Sequence, residues 1–136
     1  MKKTLFVLTR VHILLSALPF ILMSCSPKYV EKGNASYYAD MFVGRKTANG
    51  ERFSQHKKTA AHQTLPFGTK VKIINKKNGK SVKVTINDRG PFKPGRIIDV
   101  SKKVARKLDM VNDGVVPVTL RYPKKYALAK TAQKKK

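Results

Sequence analysis

Seven acidic side chains serve the whole chain of 136 residues: Glu31, Asp40, Glu51, Asp88, Asp99, Asp109 and Asp113. Acid–base chemistry must draw on that short set. Asp88 is the best placed of them. It sits in Ile86-Asn87-Asp88-Arg89-Gly90-Pro91-Phe92, where a β-strand pattern runs into a Gly-Pro break. A carboxylate at the end of a rigid strand, beside a loop, is held where a groove can present it to a ligand. Other chemistries have less to work with. Past the leader the histidines are His56 and His62 and the one cysteine is Cys25, so no zinc site of the usual nitrogen–sulfur type is expected. Ser36 and Ser81 lack a nucleophile's sequence context, and no glycine loop fit to cradle a phosphate is present. The expected metal set and cofactor set are both none.

The elements that must position these residues are mostly short strands. Val82, Val84 and Ile86 alternate with Ser81, Lys83 and Thr85, the period of a half-buried strand that delivers Asp88. Lys70 to Asn75 reads as its hairpin partner, with Asn78-Gly79 as the turn. Ala35 to Tyr38, Thr59 to His62, Arg96 to Val100 and Val115 to Leu120 are further strand segments. Pro117 demotes the last of these to an edge or a bulge. Ser101 is the expected N-cap of one helix, about Lys102 to Asp109, with Val104, Ala105 and Leu108 on its apolar face. Short strands with a single late helix point to a small closed β-barrel.

Residues 1–24 read as a secretion signal: Lys2, Lys3 and Arg10 precede an apolar stretch, Val11 to Met23, that is too short to span a bilayer. The stretch closes on Leu22-Met23-Ser24-Cys25, which resembles a bacterial lipobox and marks Cys25 for lipidation. Residues 25–32 are expected to be a tether, 33–122 a single domain, and 123–136 a disordered lysine-rich tail. Removing the leader lowers the formal charge from +23 to +20. Such a charge favours polyanions. An exported chain meets no nucleic acid, which leaves anionic lipid head groups and the peptide carboxylates of the wall. The expected location is the cell envelope, on a membrane facing the periplasm. Ser26 after the cysteine, where a retention aspartate would stand, favours the outer membrane.

Taken in order, Gly33-x-Ala35-Ser36-Tyr37-Tyr38, Asn49-Gly50-Glu51-Arg52-Phe53, Thr59-Ala60-Ala61-His62, Leu65-Pro66-Phe67-Gly68, Asn87-Asp88-Arg89-Gly90-Pro91 and Arg96-Ile97-Ile98-Asp99-Val100 resemble the rare lipoprotein A family of wall-remodelling proteins. The resemblance covers about residues 33–121. It implies a six-stranded double-psi β-barrel, related to the barrels of expansins. It also implies a lytic transglycosylase that cuts the β-1,4 bond between N-acetylmuramic acid and N-acetylglucosamine, using the sugar's own C6 hydroxyl in place of water and leaving 1,6-anhydro ends. Many members continue into a C-terminal glycan-binding module where this sequence has its lysine tail.

What the resemblance implies for the site is Asp88, Glu51 and His62 as catalytic residues; Tyr37 and Arg89 are the expected substrate contacts. Asp88 is the expected general acid, protonating the leaving oxygen as an oxocarbenium-like transition state forms. Alternation along the strand should turn the Arg89 guanidinium away from it. Glu51, in a glycine-flanked loop, would orient substrate or assist the acid, and His62 would hydrogen-bond the carboxylate or the sugar. Asp99, inside an apolar strand, is read as a structural partner of Arg96 or of a backbone turn. The implied partners are peptidoglycan glycan strands and, through the lipid, a membrane; no divisome partner is specified. A rival reading shares the groove without the chemistry, as a non-catalytic expansin-like binding or wall-loosening protein.

Overall fold

The computed structural model describes residues 27–127. The signal segment, Cys25 and the tail from residue 128 lie outside that range. The strands are β1 (Lys28–Tyr37), β2 (Thr59–Ala61), β3 (Lys70–Asn75), β4 (Ser81–Asp88), β5 (Arg96–Val100) and β6 (Val116–Pro123), with the helix α1 (Lys102–Lys107) and a short 3-10 turn, Asp40–Phe42. They close into a mainly β, six-stranded barrel in the order β1-β5-β2-β4-β3-β6. Two of its pairs, β1 with β5 and β2 with β4, are parallel; the others are antiparallel. This is the expected double-psi barrel.

Alternation builds the wall. Val71 and Ile73 of β3, Val82, Val84 and Ile86 of β4, and Val116, Val118, Leu120 and Tyr122 of β6 point inward and are buried. The intervening Lys70, Lys83, Arg121 and their like face out. The β3–β4 hairpin turns at Asn78-Gly79 as expected, with Gly79 at φ +74°. Ser101 caps α1 by accepting from the Val104 N–H, and Val104, Ala105 and Leu108 pack into the core. Asn75 and Asn78 both donate to the Leu108 carbonyl, fastening the far end of the helix to the hairpin.

Two boundaries and the place of one proline differ from the sequence reading. β1 starts at Lys28 and not in the thirties, because Lys28 to Lys32 pair with Pro123 to Thr119 of β6. Most of the expected tether is therefore barrel wall. The expected tail is shorter too: Pro123 belongs to β6, and Lys124 to Ala127 make a helical turn that buries Ala127 against the core. Pro117 is at neither an edge nor a bulge of a sheet, since β6 is paired on both sides. It stands opposite Asn34 of β1, one residue before the β3 ladder begins at Val118, so its missing N–H removes no rung there. Gly33 marks a close approach. A β-carbon on it would lie 2.7 Å from Ile97 Cγ2 and 2.9 Å from Cγ1, where β1 crosses β5 beside a register shift.

Candidate active site

β1, β4 and β5 all deliver residues to one groove of about 460 Å³. β1 runs out at Tyr37, and Tyr38 continues it by donating its N–H to the Val100 carbonyl. β4 ends at Asp88, and the chain then leaves through Gly90, at φ +118°, a backbone conformation suited to glycine. Tyr38, Phe42, Phe53, Asp88, Phe92 and Asp99 line the groove together with Arg45, Lys46, Arg89 and Arg96. Phe92 is the most exposed large apolar side chain among those described, at 81 %. An open groove with aromatic surface and convergent charged groups is a candidate ligand site.

Asp88 is held from three sides. Its Oδ1 accepts from the Ala48 N–H and from the Arg89 N–H, each at 2.8 Å, and its Oδ2 accepts from the Tyr38 hydroxyl at 2.6 Å. A carboxylate offers about four acceptor sites, so the remaining one is on Oδ2. Burial, and next the hydrogen bond to Asp88, push the Tyr38 phenol well above its usual pKa. The phenol therefore stays protonated and keeps donating. Tyr38 itself is fixed by rings: Phe53 lies 4.4 Å away and Phe42 meets it edge-on at 5.8 Å, centroid to centroid. Gln55, which is buried, donates to the Tyr38 carbonyl and accepts from the Lys102 N–H, tying the groove to the start of α1.

Glu51 does not line the groove. Its Oε1 accepts from Asn49 Nδ2 and its Oε2 from Asn87 Nδ2, and the Asn49 N–H donates to the Asn87 carbonyl. Those bonds, Asn87's first, hold the Glu51 carboxyl below its usual range. Glu51 thus rivets the loop that carries Ala48 to the residue next to Asp88. Arg89 turns away from the Asp88 carboxylate, as alternation requires. Its guanidinium donates to the His62 and Leu65 carbonyls and stacks on Phe67 at 4.0 Å.

Two expected contacts are corrected. The His62 ring is buried and does not reach the groove. Its Nδ1 accepts from the Thr64 and Leu65 N–H groups, so Nε2 carries the proton and donates to Glu31 Oε2 at 3.3 Å. The Tyr122 hydroxyl donates to the same oxygen. What His62 brings to the site is backbone: its N–H donates to the Asp88 carbonyl, and its ring shapes the 62–65 turn whose carbonyls seat Arg89. Tyr37 faces the core side and donates its hydroxyl to the Val111 carbonyl; the neighbouring Tyr38 takes the groove. Asp99 does pair with Arg96, at 2.7 Å, and accepts from Ser36 Oγ. It also lines the groove, which its place in an apolar strand gave no sign of.

No group of three or more His, Cys, Asp or Glu side chains among the described residues is arranged to hold a metal ion. Residues 30–120 match the family model described as lytic transglycolase, a double-psi barrel domain. The chain is 53 % identical over 93 residues to the endolytic peptidoglycan transglycosylase RlpA of Neisseria meningitidis serogroup A, covering 68 % of this chain and 39 % of that one. It is 52 % identical over 101 residues to the protein of the same name from Rickettsia typhi, covering 71 % and 32 %. The chain thus spans between about a third and two fifths of these relatives' length. Among solved structures, a Streptomyces papain inhibitor superposes with a TM-score of 0.57 at 22 % identity, over 70 % of this chain and 94 % of that one. The expansin of Clavibacter michiganensis gives 0.53 at 20 %, over 69 % and 50 %. At those identities the two structures speak to the barrel alone, while the match over residues 30–120 and the close relatives go further: the chain belongs to the lytic transglycolase family.

Proposed function

We propose that the chain cleaves peptidoglycan glycan strands by lytic transglycosylation between N-acetylmuramic acid and N-acetylglucosamine, with Asp88 Oδ2 as the proton-transfer atom. The observation that carries the reading is the fixed Asp88 carboxylate, with one acceptor position open to an aromatic groove. In the first half of the reaction Asp88 delivers a proton to the glycosidic oxygen, and the C1–O bond breaks with N-acetylglucosamine as leaving group. In the second, the C6 hydroxyl of the muramic acid bonds to C1 and gives its proton to the same carboxylate. One C–O bond breaks and one forms, Asp88 ends as it began, and no water is consumed. Tyr38 holds Oδ2 in place by donating throughout. Asp99, steadied by Ser36 and Arg96, orients sugar hydroxyls.

In the cell this activity serves wall remodelling or daughter-cell separation, with the protein tethered to the envelope by a lipid on Cys25. A second reading is expansin-like binding without cleavage. The exposed Phe92 and the cations that line the groove favour it, because they can hold a glycan strand with no proton transferred. Digestion of purified sacculi followed by mass spectrometry decides between them. Products ending in 1,6-anhydro-muramic acid are expected. Reducing ends mean a water-using hydrolase, and binding with no released product establishes the expansin-like reading.

A further inference from the structure

A second cleft, of about 550 Å³, lies on the outer wall of the barrel away from the Asp88 groove. Lys28, Lys58, Lys70, Lys72, Lys83 and Arg121 all line it, and no carboxylate does. The strand registers make three of these cations a row: Lys83 stands directly opposite Lys72, and Lys72 directly opposite Arg121. Adjacent strands lie about 4.8 Å apart. Like charges facing each other across strands destabilise a sheet, so the row works against the fold that carries it. Among the described residues none of the six cations makes an ion pair. Glu31, which reaches Tyr122 at the margin, is engaged by that hydroxyl and by His62.

The cleft sits where both ends of the barrel chain meet. Lys28 opens β1 and Pro123 closes β6, paired with each other, and both line it. Cys25 is three residues before Lys28, within about 11 Å of extended chain. Tyr29 and Val30, exposed at 41 % and 46 %, follow at the same margin, with Val30 opposite Arg121. Aromatic and apolar side chains beside a cationic surface suit the interface of a bilayer. The groove opens at the other end of β1, whose ten residues span roughly 30 Å, while on β4 the linings of cleft and groove come within three residues of each other, Thr85 and Asp88.

From this placement we infer that the cationic cleft is a docking face for an anionic phospholipid surface, seating the barrel on the membrane beside its anchor with the groove directed away. The inference rests on the lipid-anchor reading for the cleft's position, and on the charge row for its ligand. A basic patch beside a lipid anchor adds an electrostatic contact that fixes how the barrel sits on an anionic surface. Each basic side chain near an anionic bilayer strengthens adsorption roughly fivefold.

The processed protein, with its N-terminus intact, is placed on vesicles of zwitterionic phospholipid or of the same lipid mixed with anionic phospholipid. Its lysines are then acylated and read by mass spectrometry. Lys58, Lys72 and Lys83 should react several-fold more slowly on anionic vesicles alone, while Lys46 and Lys93 at the groove end stay unchanged; high salt should erase the difference. Neutralising the row (Lys72→Gln, Lys83→Gln and Arg121→Gln together) should weaken adsorption to anionic vesicles on the order of a hundredfold. Tm should hold or rise, since like charges have been relieved. Equal reactivity on both vesicles overturns the inference. Protection that needs soluble peptidoglycan fragments and no lipid also overturns it, and assigns the cleft to wall carboxylates. Protein that shows the anionic footprint but elutes entirely in salt refutes the lipid on Cys25 and supports the cleft.

Discussion

Asp88→Asn isolates the proton from everything else Asp88 does. The side-chain oxygen of asparagine can keep accepting from the Ala48 and Arg89 N–H groups at the present 2.8 Å. The amide takes the place of Oδ2, and the Tyr38 hydroxyl rotates from donor to acceptor. Three hydrogen bonds change from charged to neutral, so stability falls by at most about 3 kcal/mol, less where solvent reaches the groove. Turnover loses general acid–base catalysis, about 10²- to 10⁴-fold, or roughly 2.7–5.5 kcal/mol of barrier. The assay is release of anhydro-ended fragments from sacculi, with pull-down of the variant on the same sacculi. Tyr38→Phe is the companion: it removes one donor from Oδ2, costs roughly 1.5–3 kcal/mol, and should slow turnover less than Asp88→Asn. Asp88→Asn that retains turnover within tenfold, or loses binding as steeply as turnover, refutes the assignment of Oδ2.

Glu51→Gln should lower turnover by about tenfold without abolishing it, because the loop presenting Ala48 loosens while Asp88 remains. Its lowered carboxyl pKa makes the Glu51 contribution to stability present above about pH 4.3 and lost as pH falls further. The Gln variant should lack that loss in acid melts. Gly33→Ala should cost about 1–3 kcal/mol by forcing Ile97 aside, read as a shift in denaturant midpoint, and Ile97→Ala in the same chain should recover part of it. Burial raises the phenol pKa of both Tyr38 and Tyr122, so folding stability is full below about pH 10 and declines above it as the unfolded chain sheds those protons first. In an alkaline absorbance titration two phenols should ionise only as the barrel unfolds.

Local signals read well where they were local. The β3–β4 hairpin rests on Asn78-Gly79 and on strict alternation, and the helix on the Ser101 hydroxyl; each is decided within a few residues. The Arg96–Asp99 pair is three residues apart and was also legible. The first half of β1 was not. Lys28 to Lys32 look like a solvated tether until β6, some ninety residues later, supplies their partner. Tyr37 and Tyr38 differ by one step of a period-two pattern, and only the β1–β5 register says which of them faces the groove. The His62 ring went inward because the Thr64 and Leu65 N–H groups of its own turn hold Nδ1 while Glu31, 31 residues earlier, takes Nε2, and nothing beside His62 announces that remote partner.

The seam between the first and last strands governs how the molecule comes into being. β1 pairs with β6 along eight consecutive positions, and the Tyr122 hydroxyl reaches Glu31 across 91 residues of chain. A barrel whose closing joint is also its longest loop cannot complete itself while any of that loop is still being made. Until Pro123 arrives, β1 has only β5 to hold, and its other side is an open row of backbone donors and acceptors. The same joint leaves Lys28 and Pro123 side by side. A circular permutant that joins this seam and opens at the Asn78-Gly79 turn would exchange the two joints: β1–β6 becomes the local hairpin and β3–β4 the distant closure, so the late step of folding should move from one seam to the other.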